Sequence, residues 1–433
     1  MTLTIIFSAI TCIMMIVGVL FIPKIKIFKF KIDSYWLFTL IGAFIVVLVS
    51  GVDFKVILNS LTADTSINPI KILVLFISMT VLSLFLDELG FFKYLANVTL
   101  KNSKASQLRL FFYLYVTVSV LTVFTSNDVI ILSFTPFICY FAKHAKINPI
   151  PYLAGEFIAA NTWSMALVVG NPTNIYLATA YDINFLNYAK VMIIPTVFAG
   201  ITAFAVLFTI NKKKLKEPIF GVHEEVVIED KLSLIVGIVH LAVCTVMLAI
   251  SSYISVEMWL VSLLSVFSLF IWIFIIGLIK KIPPRHISAC IKRAPWQLIP
   301  FVVSMFVMII ALESKGVTSV ISNFLGEKYA IYKYGFASFL TANVINNIPM
   351  SALFCSIITP LEGLAQTEAV FASIVGSNLG AFFTPIGALA GIMWSSILNE
   401  QHLSFKYLDF LKMGVTVAIP TLIVTLLSLN IFI

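Results

Sequence analysis

The residues of this chain best suited to chemistry are short polar runs set inside long apolar ones. They are Ser126-Asn127-Asp128, Asn161, Gly170-Asn171-Pro172-Thr173-Asn174, Asn343 with Asn346-Asn347, and Gly376-Ser377-Asn378 followed by Thr384-Pro385-Ile386-Gly387. Asn, Ser and Thr offer neutral donors and acceptors without the desolvation cost of a full charge. Proline removes an N–H and frees a carbonyl, and glycine lets the backbone come close to a ligand. Each break bares a helix N-terminus whose amides and positive dipole end suit an anionic or oxygen-rich solute; carbonyls at the opposite ends suit a cation. The pattern assigns binding of a small anion or oxyacid, with a coupling ion, to Ser126, Asn127, Asp128, Asn161, Gly170, Asn171, Thr173, Asn346, Asn347, Ser377, Asn378, Thr384 and Gly387. The coupling ion is a proton or sodium, and sodium would sit at Asn127 and Asn347.

Carboxylates are scarce in the apolar runs. Asp128 follows the first polar tip and reads as an intramembrane carboxylate or, alternatively, as the N-cap of the next helix. Glu156 lies five residues before Asn161 and is a second coupling candidate. Asp87-Glu88 and Glu313 read as interfacial residues at span ends. No HExxH, GxSxG or GxGD pattern is present, and no GxxxxGK[ST], so no catalytic residues and no cofactor are expected. Any ATP dependence would have to come from a cytoplasmic ATPase subunit. The five cysteines stand singly, which excludes a disulfide framework or a zinc site by spacing.

These residues need elements to hold them, and composition says of what kind. The chain of 433 residues is 60 % apolar and 11 % charged, against about 45–50 % and about 25 % for a soluble domain. With a mean hydropathy of +1.06, it lacks the polar surface to cover a water-facing globule. A soluble enzyme, a nucleic-acid-binding domain and a disordered chain are excluded; the partner is the lipid bilayer, and the fold class is an all-α polytopic membrane protein. Apolar runs of about 20 residues, the length of a spanning helix, fall near 4–22, 34–52, 70–87, 190–210, 232–251, 257–279, 296–312 and 406–431. Interrupted crossings are expected at 150–181 and 367–397. The segments 110–142 and 331–363, each broken centrally, read as re-entrant hairpins with arms of about 16 residues.

Loop charge tests this layout. With the N-terminus outside, 22 of the 28 Lys and Arg residues fall on inner segments and six on outer ones. That bias is the positive-inside signal of a multi-pass protein of the cell membrane, and it places both termini outside. It also accounts for the net charge of +8 without a nucleic-acid partner. The first apolar run lacks a basic n-region and a small-residue cleavage site, so it reads as a retained span.

The charged stretch at mid-chain divides the sequence into a first repeat over 1–211, a cytoplasmic linker over 212–231 and a second repeat over 232–433. Each half holds five crossings and a hairpin, and an odd number of spans forces the second half into the membrane upside down. That inverted repeat is the plan of secondary transporters. NTWSMALVVGNPTN from Asn161 aligns without gaps on NLGAFFTPIGALAG from Asn378, so Asn161 pairs with Asn378 and Gly170 with Gly387, both at an offset of 217.

At these residues the chain resembles the ion transporter superfamily with a citrate-transporter-like fold, and within it the arsenite/antimonite efflux permeases. The resemblance runs over nearly the whole length and is strongest in SNDVIILSFTPF (126–137), RAPWQLIPF (293–301), ANVINNIPMSALF (342–354) and GSNLGAFFTPIGALAGIMW (376–394). It implies two inverted repeats, with solute and coupling ions held by Ser126, Asn127, Asp128, Asn346, Asn347, Ser377, Asn378 and Thr384, and a homodimer is compatible with it. The implied activity is efflux of arsenite or antimonite by antiport; the alternative is a sodium-coupled anion or carboxylate transporter, or a sodium/proton antiporter. The chain departs from the permeases at Asn378, where they carry Asp, and in Gly170-Asn171-Pro172-Thr173-Asn174, which is more similar to other anion permeases of the superfamily. Arg109, Arg285 and Arg293 all lie on inner segments, so no bidentate carboxylate clamp reaches the midplane.

Overall fold

In the computed structural model the chain is helical nearly throughout. The structure describes every residue except 23, 28–29, 65–67, 104–105, 217–226, 252, 282, 284, 402 and 404. Half of the expected linker, 217–226, therefore lies outside the described residues.

The first half begins with α1 (Thr2–Phe21) and a two-stranded antiparallel ribbon, β1 (Lys24–Ile27) and β2 (Phe30–Asp33), with Lys24 opposite Asp33. The ribbon follows from its alternating Lys-Ile-Lys-Ile pattern, which has the period of a strand. Then come α2 (Ser34–Ser50), the short α3 (Phe54–Thr62), α4 (Pro69–Glu88) and α5 (Phe91–Asn102). The paired helices α6 (Gln107–Phe124) and α7 (Asn127–His144) lead into α8 (Ile150–Trp163), α9 (Pro172–Ala180) and α10 (Phe185–Asn211).

The second half runs through α11 (Lys231–Ile250), α12 (Met258–Lys280), the short α13 (Arg285–Arg293), α14 (Leu298–Ser314) and the short α15 (Val317–Leu325). It closes with the pair α16 (Ala330–Ile345) and α17 (Asn347–Ile358), then α18 (Gly363–Gly380), α19 (Leu389–Glu400) and α20 (Tyr407–Phe432). Among the described residues, eight helical stretches are long and apolar enough to cross a membrane.

Local chemistry fixes several of the starts. Asn68 accepts from the amides of Ile70 and Lys71 ahead of Pro69, and Ser106, Asn184 and Asp230 cap α6, α10 and α11 in the same manner. Burial separates central helices from peripheral ones. About 78 % of the apolar window of α4 is buried against about 28 % for α11 and α12, so α4 belongs to the core and the other two face the lipid. Ile235, Val239, Val243 and Val246, spaced by three and four along α11, are exposed and form one lipid-facing stripe.

Packing exchanges partners between the halves. α2 lies against α14 and α12 against α4; α7 lies against α19 and α17 against α9; α10 and α20 lie against each other. Of the paired helices, α16 has the expected length, α6 and α7 are slightly longer and α17 is shorter. α6 and α7 have 18 residues each, α16 has 16 and α17 has 12. At 1.5 Å per residue, α6 is about 27 Å long and meets the length of a spanning helix. Pro136 sits inside α7 without ending it.

Candidate functional site

Both helix pairs turn at polar residues. Between α6 and α7 the chain passes through Thr125 and Ser126 in extended conformation. Ser126 is the N-cap of α7, yet its hydroxyl makes no capping bond and is buried without a partner. The N-cap role offered for Asp128 therefore falls to Ser126, and Asp128 lies in the first turn of α7. Between α16 and α17 a single residue, Asn346, turns the chain at φ 73°, ψ 154°. A non-glycine residue at positive φ costs about 1–3 kcal/mol and persists only where its surroundings hold it. Here the Asn346 side-chain amide donates to the Ile386 carbonyl at 3.1 Å, and the Asn347 backbone N–H donates to the Gly387 carbonyl at 3.0 Å.

The crossings that follow each pair are interrupted. α8 ends at Trp163 and α9 starts at Pro172, with Asn171 capping it by accepting from the Thr173 amide at 3.2 Å and hydroxyl at 3.1 Å. α18 ends at Gly380 and α19 starts at Leu389, where the cap is Ala388 and no side chain contributes. Glycine is required at these breaks because backbone passes so close. A Cβ on Gly170 would lie 2.2 Å from the Ser164 carbonyl oxygen, and one on Gly387 would lie 2.3 Å from that of Gly380.

Hydrogen bonds join the polar clusters. Asn127 Nδ2 donates to Asn161 Oδ1 at 2.9 Å, linking the start of α7 to α8. Asn378 Oδ1 accepts from Ser164 Oγ at 2.9 Å and from Asn171 Nδ2 at 3.0 Å. Its Nδ2 donates to Asn174 Oδ1 at 2.7 Å and to the Ile374 carbonyl at 2.8 Å. Asn378 thus uses its full complement of two donors and two acceptor sites, and three of its four partners belong to the opposite half. Thr384 Oγ1 donates to Asn343 Oδ1 at 2.6 Å. Ser164, Asn174 and Asn343 were absent from the residues assigned by sequence. Asn174 stood inside an assigned motif, and Asn343 lies one helical turn before Asn347; Ser164 carried no signal.

The expected residues therefore gather in connected sets. Asn127 and Asn161 form one, and Asn171, Thr173 and Asn378 a second. The third, Thr384, Asn346, Asn347 and Gly387, lies at the other turn. Asn127 and Asn347 share no hydrogen bond; each is tied to the interrupted crossing of its own half. The buried Ser126 Oγ, Asn127 Oδ1 and Ser377 Oγ have no partner. Such atoms are costly unless something satisfies them. Asp128 is 7 % exposed, and among the described residues its carboxylate takes part in none of the five ion pairs. Of the acids expected at span ends, Asp87 and Glu88 pair, with Arg293 Nη2 meeting Asp87 at 2.7 Å and its Nη1 meeting Glu88, while Glu313 is in none of the five ion pairs among the described residues.

A cavity of about 320 Å³ reaches the interrupted crossing of the first half at Val168 and is walled by Ile72, Leu75 and Ile175. Lys71 stands at its rim, bonded to Asp64 at 2.5 Å and to Glu257 at 2.6 Å. The cavity is lined by none of the residues of the polar turns; two interrupted crossings and two polar turns inside a lipid-facing helical shell define a polytopic membrane transporter.

The comparisons specify the class. A family model described as "Citrate transporter" matches residues 2–376, and the chain belongs to that family. It is 25 % identical over 375 residues to the arsenical pump membrane protein of Escherichia coli, covering 82 % of this chain and 84 % of the other. It is 23 % identical over 381 residues to the putative arsenical pump membrane protein of Bacillus subtilis (strain 168), covering 81 % and 84 %. Among solved structures it is similar to the Alcanivorax borkumensis YdaH transporter, whose topology is described as unusual. The TM-score is 0.56 with 12 % identity, over 99 % of this chain and 97 % of that one. That likeness bears on the fold alone.

Proposed function

We propose that the chain is a secondary active transporter that exports arsenite, or antimonite, across the cytoplasmic membrane. One observation carries the reading: the polar groups at the helix breaks are amides and hydroxyls, with no lysine or arginine among their partners. The bidentate cationic clamps that favour a di- or tricarboxylate are absent from these contacts. An uncharged trihydroxy acid needs donors and acceptors, which Ser126 Oγ, Asn127 Oδ1 and Ser377 Oγ leave open, and Asp128 can accept a hydrogen bond from one of its hydroxyls. The relatives named arsenical pump membrane proteins support the choice of solute.

In this reading the halves 1–211 and 232–433 are antiparallel duplicates, and the solute is passed from one side to the other as the α7/α19 and α17/α9 pairs exchange contacts. The recurring order of elements and the exchanged packing support it. Accumulation of arsenite by everted membrane vesicles is the test. Uptake that collapses on adding a protonophore, in the absence of ATP, supports a self-sufficient carrier over one driven by an ATPase subunit. Absence of uptake at every pH and sodium concentration excludes this solute. The same unpaired oxygens favour a second reading, sodium-coupled anion transport; sodium dependence lost in Asn127→Ala would support it.

A further inference from the structure

A second carboxyl group lies deeper than Asp128. Glu156 is fully buried at the centre of α8. The Thr135 hydroxyl of α7 stands 3.1 Å and 3.2 Å from its two oxygens and donates to one at a time. The Trp394 indole, from α19 in the opposite half, lies near the same carboxyl, and its buried N–H makes no hydrogen bond. The Trp394 ring is held there against Phe157 at 5.0 Å and Phe410 at 5.6 Å between centroids.

The remaining neighbours are few. α7 brings the Cys139 thiol close to the carboxyl, and Asp128 lies two turns from Thr135 on the same helix face. α6, α10 and α18 also pack on α8, and no described lysine, arginine or histidine forms an ion pair with Glu156. A carboxyl in such a place takes up a proton or finds a cation. A metal cation would need several oxygens, and among side chains with a contact to the group only Thr135 supplies one. The other two, indole and thiol, do not serve a hard cation.

We infer that Glu156 is the proton-carrying group of the transport cycle, protonated while α7, α8 and α19 are packed together and exchanging that proton with water when α19 parts from them. The inference rests on the transporter reading above. On opening, the carboxyl O–H bond breaks, the proton passes to water on the open side, and the Thr135 hydroxyl supports the carboxylate left behind; reprotonation from the other side restores the start. Five residues separate Glu156 from Asn161, about 7 Å along the helix, so the proton sits one step below the solute. The place at the same offset in the second half is Ser373, a buried hydroxyl without a partner, so that half has no carboxyl matching Glu156 at that place.

The test uses the purified full-length protein in proteoliposomes with a trapped pH dye and sodium arsenite as the probe. The ratio of protons to arsenite moved should be lost in Glu156→Gln and recovered in Glu156→Asp, whereas a structural role would lower both fluxes together and keep the ratio. An unchanged ratio in Glu156→Gln overturns the inference. If the wild type moves no arsenite, the solute reading fails separately, and infrared difference spectra after a pH jump decide the proton site in protein without solute. A carboxyl C=O band that Glu156→Gln removes and Asp128→Asn retains supports it; a band indifferent to Glu156→Gln contradicts it. Should Glu156→Gln fail to fold, Thr135→Val and Trp394→Phe must shift the pH at which that band appears, and no shift in either contradicts the inference.

Discussion

Asn378 shows why one residue type fits its place. Its amide gives both hydrogens to oxygens, Asn174 Oδ1 and the Ile374 carbonyl, and takes two donors on its own oxygen. An aspartate there would keep the acceptor role and lose both donors, leaving its charge against two oxygens. With Asn171 and Asn174 in the partner segment, an amide at position 378 satisfies every bond of the set. Asn378→Asp should cost at least about 2 kcal/mol of stability, seen as a lower melting temperature of the purified protein, and Asn174→Asp, which can accept but not donate, should lose its own bonds to Ser164 and Leu167. At the second turn, Asn346 combines a strained φ with two side-chain bonds. Asn346→Gly loses the bonds and relieves the strain, whereas Asn346→Ala loses the bonds and keeps it. Melting curves should therefore rank wild type or Gly above Ala, with Ala lowest by about 1–3 kcal/mol relative to Gly.

The two helix pairs are built unequally. α18 lies directly on α16 because Gly376 and Gly380 remove side chains from the contact: a Cβ on Gly376 would meet Ser338 Oγ at 2.0 Å and the Gly335 carbonyl at 2.5 Å. Small residues every four positions are the usual means of close approach in membranes. In the first half the matching positions on α8 are Ala159 and Trp163, so the same pair of glycines is lacking there, and the Trp163 ring lies against Gly200 of α10. Gly376→Ala should cost about 1–3 kcal/mol, while Ala159→Gly should cost less; a larger loss of monodisperse protein for the former in size-exclusion chromatography checks this. The second pair is thus expected to act as a rigid unit. The N-termini also differ. Asn346 and Asn171 cap the packed pair α17 and α9 with side-chain oxygens, while Ser126 and Ala388 leave the amides of the packed pair α7 and α19 without one. Open amides and a positive dipole end are what an oxygen-rich solute seeks.

At the scale of the molecule, what sequence disclosed was what is local. Gly170-Asn171-Pro172 and Thr384-Pro385-Ile386-Gly387 announce broken helices because proline and glycine act on their own backbone. The polar turns at Ser126 and Asn346 stand out against apolar flanks for the same reason. Pairings across the chain were not legible: Asn174 meets Asn378 across 204 residues, and nothing in either neighbourhood names the other. α6 and α7 run to 18 residues each, slightly longer than the arms of about 16 that the apolar run suggested, because their ends extend into the polar flanks. Glu156 could be named a coupling candidate from its place before Asn161, but not its partners, since Thr135 and Trp394 arrive from two other helices.

The central claim is that the polar breaks of the two halves hold one oxygen-rich solute between them. Arsenic scatters anomalously, so diffraction from crystals grown with arsenite reports its position without modelling the solute's shape. The account predicts a single strong anomalous peak within hydrogen-bond reach of Ser126, Asn127 and Ser377, weakened in Asn127→Ala. A peak on Cys139 or Cys355, or no peak at the helix breaks at saturating arsenite, would contradict it.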